Sequence, residues 1–412
     1  MSGELRIGMV GTGFVADLHL QALQSVRRAR VAAVTSPHDD RRRAFAARVD
    51  AAGLGPCRAV GSVEEMLAGD LVDAVWLLGP NDTRLEHLRA IERAVTAGAR
   101  LAGVACEKPL GRTVAEAAEM LALVEHAGLD HAYLENQVFA PAVRRGREIL
   151  WRRAAATTGR PYLARASEEH SGPHRPWFWQ GERQGGGAML DMMCHSVEVA
   201  RFLLTEPGAP RGSLRPVAAT GTTASLKWSR PKYAARLAER MGAEVDYRRR
   251  PAEDVAHGEV RFEDDRGTSC LVEASTSWAY VGPGLRIGIE VLGPEYAMQI
   301  DTLRTGLQLF LSREVVGAEG EDLVEKQNAE QGLMPVLEDE AATYGYVGED
   351  RHVVDALLAG RRPEETFEDG LAVTRLLMAL YRSAELGRTV DPRDSGLDDY
   401  VPPVARPHPS GS

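Results

Sequence analysis

Lys108 is the first of three side chains in this sequence that could bind or transfer a proton, and it lies in the tripeptide Glu107-Lys108-Pro109. The tripeptide follows an apolar stretch that we interpret as a strand, so Lys108 would stand at the carboxyl end of that strand. Pro109 stiffens the backbone and restricts Lys108 to extended conformations. A lysine held there could stabilise an oxygen that gains negative charge, and partial burial would lower its pKa into a useful range. The alternative is a surface lysine that follows a strand.

Asp191 and His195 are the other two, in the sequence Gly-Gly-Gly-Ala-Met-Leu-Asp-Met-Met-Cys-His that begins at Gly185. Residues four positions apart share one face of a helix. The pKa of histidine suits proton abstraction from an alcohol near neutrality, and Asp191 could hold a hydroxyl or orient the imidazole. The glycines indicate a flexible or closely packed entry to this helix. A surface Asp–His pair is the alternative, and we predict no metal because Cys194 and His195 would point about 100° apart on a helix.

The elements that must position these residues alternate between strand and helix over the first 135 positions. Alternating strands and helices are typical of a parallel, doubly wound α/β sheet. Predicted helices lie at 14–25, 41–49, 83–97 and 113–126, between predicted strands at 5–10, 31–35, 74–78, 101–106 and 130–134.

A glycine loop lies between the first predicted strand and the first helix, in the pattern G-x-G-x-x-A. Gly11 permits a tight turn, Gly13 lets backbone N–H groups approach a pyrophosphate, and Ala16 allows close packing of helix on strand. The helix N-terminus adds partial positive charge for the phosphates. We therefore predict dinucleotide binding rather than a structural turn, with contacts from Gly11, Thr12, Gly13, Phe14 and Val15.

The cofactor could be NAD or NADP. A carboxylate at the end of the second strand would bind the ribose hydroxyls of NAD, but Ser36 occupies that position. Two aspartates and three arginines follow at 39–43, so either ribose hydroxyls or a 2′-phosphate could be bound, and we lean slightly to NAD. Pro80 and Asn81 follow the strand at 74–78, at the sheet edge where ligands bind in such folds, and are assigned to the cofactor.

The pattern changes after about residue 138. Strand-like runs at 260–262, 269–274, 285–292 and 297–301 follow one another without helices, which predicts an open, mainly antiparallel sheet in an α+β domain. A charged helix at 232–241 resembles an insertion of unknown role, and helices are predicted again at 351–358 and 369–386. The domains expected are 1–137 for nucleotide binding and 138–398 for substrate binding and oligomerisation, with a disordered tail at 399–412.

A loop rich in histidine and aromatic residues precedes the Asp191 helix. Its Gly-Pro pair excludes a regular helix, so the two histidines are not evidence for zinc. Ring faces that cover C–H surfaces, together with polar groups that bind hydroxyls, suit a polyol. The alternative is a hydrophobic plug. The substrate-binding residues assigned here are His170, His174, Arg175, Trp177 and Trp179.

Composition excludes several other classes of protein. The chain has 412 residues with a formal net charge of −10, so neither nucleic acid nor an anionic membrane surface is expected as a partner. We also see neither a signal peptide nor an apolar run of about 18 residues. The four cysteines form no C-x-x-C pair, and a reducing cytoplasm is the expected location.

Taken together, these motifs resemble those of the Gfo/Idh/MocA family of oxidoreductases. The matching pieces are the glycine loop, Gly79-Pro80-Asn81, Glu107-Lys108-Pro109, Glu135-Asn136, and Gly186-Gly187 with Asp191 and His195. The resemblance implies a Rossmann domain, a C-terminal domain whose open sheet forms a homodimer or homotetramer, and Lys108, Asp191 and His195 as the catalytic set. Glu107, Lys108 and Asn136 join the predicted cofactor contacts. Lys108, Asp191 and His195 would also contact the substrate.

The function expected from these residues is an NAD(P)-dependent oxidoreductase. It would transfer a hydride between nicotinamide and a secondary alcohol or ketone of a sugar, cyclitol or sugar derivative. One alternative is a glycosidase-like enzyme that reduces and reoxidises a tightly held NAD in each cycle. Another is a nucleotide-binding regulator without catalysis, which would not need all three proton-handling residues.

Overall fold

The structure is a computed structural model that describes residues 3–242, 245, 247–248, 251–312, 323–329 and 331–406. The chain divides into two compact units, of which the first contains Met1–Pro141 with Tyr344–Thr374 and the second contains Ala142–Thr343 with Arg375–Ser412. The sequence pattern assigns 344–374 to the C-terminal domain. The structure groups this segment with the first unit instead, since helix Tyr346–Leu358 packs against helix Phe14–Leu23.

The first unit is built on one sheet of six strands. They are β1 Leu5–Val10, β2 Ala29–Thr35, β3 Arg58–Val60, β4 Ala74–Leu77, β5 Gly103–Glu107 and β6 Asp130–Leu134. All neighbouring pairs are parallel, in the order β3-β2-β1-β4-β5-β6. The predicted doubly wound α/β fold is confirmed.

Helices cover both faces of this sheet because its strands are apolar on both sides. The helices are α1 Phe14–Leu23, α2 Asp39–Ala51, α3 Val63–Ala68, α4 Asn81–Thr96, α5 Val114–His126 and α12 Tyr346–Leu358. Ile7 and Met9 of β1 belong to the buried cluster that contains α1, α2 and α12 residues. Val10 and Leu77 belong to a second cluster with α3, α4 and α5. Side chains therefore alternate between two cores, as the period of a strand requires.

The second unit contains a mixed sheet that is antiparallel at every pairing except one. Its strands are β7 Leu163–Glu169, β8 Arg215–Ala224, β9 Val255–Glu263, β10 Ser269–Ser277, β11 Arg286–Gly293 and β12 Tyr296–Asp301. The order is β12-β11-β7-β10-β9-β8, and the parallel pair is β10 with β7. A separate two-stranded antiparallel sheet pairs β13 Leu307–Leu311 with β14 Gly332–Val336. The predicted open, mainly antiparallel sheet is confirmed.

The remaining helices of the described residues are α6 Pro141–Ile149, α7 Ala156–Thr158, α8 Gly181–Gln184, α9 Cys194–Leu204, α10 Pro231–Met241, α11 Glu340–Thr343 and α13 Phe367–Leu386. Wider π-helical turns cover Leu150–Ala155 and Met189–Met193. Of the expected tail at 399–412, residues 399–406 are described and include a short 3₁₀ turn at Pro403–Ala405, while 407–412 lie outside the described residues. Among the helices that the structure describes, none combines the length and apolarity that crossing a membrane requires.

Candidate active site

The glycine loop links β1 to α1 in the first unit. Gly11 has a φ of +120°, and a Cβ there would lie 2.9 Å from the carbonyl carbon of Leu78 and 3.0 Å from the nitrogen of Gly79. Protein packing alone therefore requires glycine at position 11. Gly13 is different, because a Cβ at that position would meet nothing within 4 Å. Gly13 leaves an open approach to the first residues of α1, which fits a pyrophosphate at the N-terminus of the helix.

Ser36 follows β2 at the position where an acid would bind the ribose of NAD. Its hydroxyl accepts a hydrogen bond from the Thr12 hydroxyl at 3.3 Å, so the glycine loop and the end of β2 are joined. The Arg42 guanidinium donates to the Ser36 carbonyl at 3.1 Å and forms an ion pair with Asp39 at 2.7 Å. The ribose side of the predicted cofactor site thus holds a serine and an arginine that is already paired with a carboxylate.

Arg84 ties together the two sheet-edge motifs that follow β4 and β5. It lies on α4, is 4 % exposed, and donates to the carbonyls of Gly79 at 2.9 Å and of Glu107 and Pro109 at 2.6 Å each. One buried guanidinium therefore fixes the backbone on both sides of Lys108. The sequence motifs did not reveal Arg84, although its place three residues after the buried Asn81 on an amphipathic helix was a usable signal.

Glu107 and Asn136 are buried beside the same edge of the sheet. One oxygen of Glu107 accepts the backbone N–H of Lys108 at 3.0 Å, and the other faces Nε2 of His19 at 3.1 Å. Asn136 donates its side-chain amide to the carbonyl of Tyr344 at 2.8 Å. Within the part of the chain that the structure describes, the buried Oδ1 of Asn136 has no hydrogen-bond partner. It is thus an acceptor suited to an N–H or O–H donor of a bound cofactor.

The second unit carries Asp191 and His195 on what we call the Asp–His segment, the π-helical turn Met189–Met193 followed by α9. Both side chains are buried, with exposures of 6 % and 4 %. The indole N–H of Trp278 donates to Asp191 Oδ2 at 3.1 Å, which fixes the carboxylate. The predicted helix is present, but Asp191 lies in the wider turn. Such single π turns are frequent at functional sites.

A buried carboxylate holds the entry of the Asp–His segment. Glu253 Oε1 accepts the backbone N–H groups of Gly187 and Met189 at 2.9 Å each, and the hydroxyl of Tyr381 at 2.5 Å. The Tyr381 oxygen also accepts the N–H groups of Gly187 and Leu190 at 3.2 Å. Orphan N–H groups at the start of a helical segment are thereby satisfied. Burial raises the pKa of Glu253, although Tyr381 and the N–H donors oppose the shift.

This arrangement explains the glycine run. A Cβ on Gly186 would meet the Tyr381 hydroxyl and lie 2.9 Å from Leu190 Cβ, and one on Gly187 would meet the Glu253 backbone and side chain. Gly185 has a φ of +92°. Of the two options that the sequence left open, flexibility and close approach, the structure favours close approach.

The far end of the Asp–His segment is also fixed by side chains. Arg147 donates to the carbonyls of Phe202 and Thr205, Trp151 to that of Leu203, and Arg160 to that of Leu204, all at 2.7–3.0 Å. Cations near the C-terminus of a helix interact favourably with its dipole. The segment that carries Asp191 and His195 is therefore held at both ends.

The five loop residues between 170 and 179 that were assigned to substrate have distinct environments in the second unit. His170 is buried, and its Nδ1 accepts the N–H of Gly172 at 2.9 Å. His174 is exposed at the surface, but partial desolvation by its neighbours and the positive charges of Lys326, Arg240 and Arg175 lower its pKa to about 4, so His174 is neutral at pH 7. Trp177 stacks on Phe178 with ring centroids 3.8 Å apart.

Trp179 differs from its neighbours because it is 3 % exposed and belongs to a buried aromatic cluster. Its ring centroid lies 5.0–5.3 Å from those of Trp228, Tyr247 and Trp278. Its indole N–H donates to the carbonyl of Pro173 at 3.1 Å. Trp278 belongs to this aromatic cluster and donates a hydrogen bond to Asp191, so the cluster helps to fix the position of the candidate carboxylate.

Comparison with known proteins agrees with these features. Two domain models match, one described as an oxidoreductase family with an NAD-binding Rossmann fold at residues 5–132, and the GFO/IDH/MocA C-terminal domain at residues 152–297. A 1,5-anhydro-D-fructose reductase of Ensifer adhaerens is 31 % identical over 50 % of this chain and 58 % of its own length. A D-apiose dehydrogenase of Paraburkholderia graminis is 25 % identical over 93 % of this chain and 88 % of its own.

Several curated relatives match over only part of their length, with alignments that cover 55–58 % of those proteins. Among solved structures, GenD2 from gentamicin A biosynthesis in complex with NAD has 28 % identity and a TM-score of 0.75, covering 95 % of this chain and 97 % of that one. The two domain models together span most of the chain, and the chain belongs to the Gfo/Idh/MocA family of oxidoreductases.

Proposed function

We propose that this protein is an NAD(P)-dependent oxidoreductase that transfers a hydride between nicotinamide and a secondary alcohol or ketone of a sugar, cyclitol or sugar derivative. The observation that carries the proposal is the Asp–His segment, where a carboxylate fixed by Trp278 at 3.1 Å precedes a buried histidine by four residues. Relatives named as reductases and dehydrogenases of sugars support it. They give no support to a glycosidase-like reaction or to a regulator without catalysis.

In the proposed mechanism, His195 removes the proton from the substrate hydroxyl. Lys108 and Asp191 hold the oxygen as it becomes a carbonyl, and the ammonium of Lys108 stabilises the negative charge that develops on it. When bound, the nicotinamide supplies the acceptor for the hydride that leaves the carbon. In the opposite direction His195 returns the proton to the oxygen. Each half of this constellation is fixed by buried groups, Lys108 through Arg84 and Asp191 through Trp278.

For the cofactor we favour NAD over NADP. Arg42 is the arginine that contacts Ser36, and Asp39 already neutralises it at 2.7 Å. A 2′-phosphate would have to compete with Asp39 for that guanidinium, whereas ribose hydroxyls can hydrogen-bond to Ser36 and Thr12. Gly13 and the buried Oδ1 of Asn136 fit a dinucleotide of either type.

For the substrate we propose contacts from the loop at 170–179. His174 is neutral and can donate or accept a hydrogen bond, Arg175 can bind oxygens, and Trp177 offers a ring face to C–H surfaces. His170 and Trp179 would act by shaping this loop, because His170 accepts the Gly172 N–H and Trp179 anchors to Pro173.

We also propose a homodimer or homotetramer that forms through the open sheet of the second unit. One face of β7, β9, β10 and β11 is buried, and the other is polar, with Arg165 paired to Glu273 and Glu290 at 2.7 Å each. Light scattering after gel filtration tests the stoichiometry, and Arg165→Glu should shift it towards monomer. The cytoplasm remains the proposed location, and cell fractionation tests it.

The central test is a screen of sugars, cyclitols and their ketones that follows the absorbance of reduced cofactor with NAD and NADP in parallel. On the substrate found, Lys108→Ala and His195→Ala should each lower kcat roughly 10²-fold or more, the scale of a lost acid–base group. Lys232→Ala and His126→Ala are matched controls, since both side chains are exposed. Turnover near that of the wild type in both catalytic variants would contradict the proposed roles.

A further inference from the structure

A buried cluster of acidic residues surrounds one histidine inside the first unit. His19 of α1 has no exposed surface, and its Nδ1 lies 3.0 Å from both carboxylate oxygens of Asp350 on α12. Its Nε2 lies 3.1 Å from Glu107 at the end of β5. Trp76 of β4 donates its indole N–H to Asp350 at 3.0 Å. We call His19, Glu107, Glu349 and Asp350 the His19 cluster.

The geometry of this cluster determines the charge of the imidazole. Both ring nitrogens face carboxylate oxygens at hydrogen-bond distance, and a neutral imidazole would turn a lone pair towards one of the anions. An imidazolium donates to both, and charge-assisted hydrogen bonds of this kind are stronger than neutral ones. Burial disfavours the charge on His19, but Asp350 and Glu107 outweigh it and raise the pKa well above its ordinary value. Against burial, His19 in turn lowers the pKa of Glu107.

The cluster connects the cofactor helix to the candidate catalytic lysine. Helix α1 begins directly after the glycine loop, and His19 lies on it six positions beyond Gly13. One oxygen of the Glu107 carboxylate accepts a hydrogen bond from the His19 imidazolium, and the other accepts the backbone N–H of Lys108 at 3.0 Å. The contact chain from α1 to the backbone of Lys108 therefore consists of a single side-chain pair.

We propose that His19 is a positioning residue for Lys108. Its imidazolium fixes the Glu107 carboxylate relative to α1, and Glu107 fixes the backbone from which the Lys108 side chain extends. This inference rests on the proposed function, because it takes Lys108 as a group that contacts the reacting oxygen. It assigns His19 no contact with substrate or cofactor. A displacement of about 1 Å in a reacting group can lower a rate about 100-fold, so a loose Lys108 would be detected in kcat.

A metal centre is the competing interpretation of the same side chains. Ligand atoms of His19, Glu349 and Asp350 lie within 4.8 Å of one another and all are buried. A metal requires a free lone pair on the imidazole, whereas both nitrogens of His19 are engaged by carboxylates. Within the described residues neither carboxyl oxygen of Glu349 has a hydrogen-bond partner, and burial raises its pKa well above the ordinary value, which favours the neutral acid over an anionic ligand.

The test uses the full-length protein with His19→Gln, Glu107→Gln and the double variant. His126→Gln is the matched control, because His126 also pairs with a glutamate, Glu92 at 2.7 Å, but is exposed. We expect His19→Gln to lower kcat roughly 10- to 100-fold. The Kd of reduced cofactor, followed by fluorescence, should change less than about threefold, and the double variant should be no slower than the slower single variant. If His19→Gln folds poorly, kcat of Glu107→Gln is compared with that of the wild type at a temperature where urea unfolding shows this variant to be folded.

Two results would overturn the inference. One is an unchanged kcat for both single variants at temperatures where they remain folded. The other is a stoichiometric metal ion in the purified wild-type protein that His19→Gln loses. Lys108→Ala is assayed in parallel to separate the two proposals. If Lys108→Ala keeps its turnover, the proposed function fails, and if it loses turnover while the His19 variants do not, only the positioning role fails.

Discussion

Replacing Gly187 with alanine tests whether the glycines before the Asp–His segment are required by packing. The added Cβ would meet the backbone oxygen of Glu253 and lie 2.7 Å from its carboxyl carbon and Oε2. That backbone oxygen cannot retreat freely, because it accepts the N–H of Ala188 at 2.9 Å. Overpacking of this kind costs about 1–3 kcal/mol. The free energy of unfolding should fall by that amount in Gly187→Ala.

The same substitution should also affect catalysis. The N–H of Asp191 donates to the carbonyl of Gly187 at 3.1 Å, so a displaced Gly187 moves the candidate carboxylate. A shift approaching 1 Å would lower kcat roughly 10²-fold. Gly212→Ala is the matched control in the same unit, since a Cβ there meets nothing within 4 Å. Its stability should change by about 0.5 kcal/mol or less, as is usual for surface substitutions.

Urea unfolding and steady-state turnover on both alanine variants measure the two effects. If Gly187→Ala matched Gly212→Ala in stability and in kcat, the close approach of Glu253 would not be the reason for glycine, and a flexible entry would be the better explanation. A loss of stability without a loss of kcat would separate the packing role from the positioning of Asp191.

For two further substitutions, Glu349→Gln and Asp39→Ala, the structure gives the direction of the expected change. Burial, aided by Glu107 and Asp350, raises the pKa of Glu349, so the folded protein keeps a proton that the unfolded chain releases above about pH 4.5. The free energy of unfolding contributed by protonated Glu349 is therefore lost as pH rises, by about 1.4 kcal/mol per pH unit up to the folded pKa. Glu349→Gln lacks this proton. Urea unfolding at about pH 5 and about pH 7 should therefore show a smaller fall in the free energy of unfolding for Glu349→Gln than for the wild type. Parallel pH dependences would contradict this. Asp39→Ala releases Arg42 and should raise the ratio of kcat/KM for NADP to that for NAD; an unchanged ratio would exclude Arg42 as a phosphate ligand.

The sequence was sufficient to predict the first sheet because the central strands of this sheet are mostly apolar runs. The predicted strands and helices there correspond to observed ones, whereas β3 and α3 were not predicted. The reason is that β3 is a three-residue strand at the sheet edge with two exposed side chains. In the second unit β7, β8, β13 and β14 were not predicted. The buried face of β7 presents only Ala164, Ala166 and Glu168, so it lacks the large branched side chains that indicate a strand.

The residues of the candidate site likewise fall into those that the sequence identified and those that it did not. Motifs identified the residues with reactive side chains, such as Lys108 and His195, because their chemistry depends on residue type. They did not identify the residues that hold the backbone, because those partners are distant in sequence. His19 and Asp350 are 331 positions apart, and Gly187 and Tyr381 are 194 positions apart. No local pattern reports a contact over such a separation.

Both units use a buried glutamate to hold the backbone beside a candidate catalytic residue, but the charge states differ. Glu107 is held by the imidazolium of His19, which lowers its pKa against the effect of burial, so it is ionised. Glu253 has a tyrosine and N–H groups as partners, and burial raises its pKa. Glutamine has the shape of a neutral glutamic acid and can still accept hydrogen bonds through Oε1.

Glu107→Gln and Glu253→Gln should therefore have unequal effects on stability. Glu107→Gln leaves a buried imidazolium without half of its counter-charge, and breaking a buried ion pair by removing one partner costs about 3–5 kcal/mol. Glu253→Gln keeps the acceptor for Gly187 and Met189, so it should cost less than about 1 kcal/mol near neutral pH. Urea unfolding of the two variants at pH 7 decides the matter. Equal losses of about 3–5 kcal/mol would mean that both carboxylates are charged in the folded protein, and equal losses below about 1 kcal/mol would mean that Glu107 is not held in a charged pair with His19.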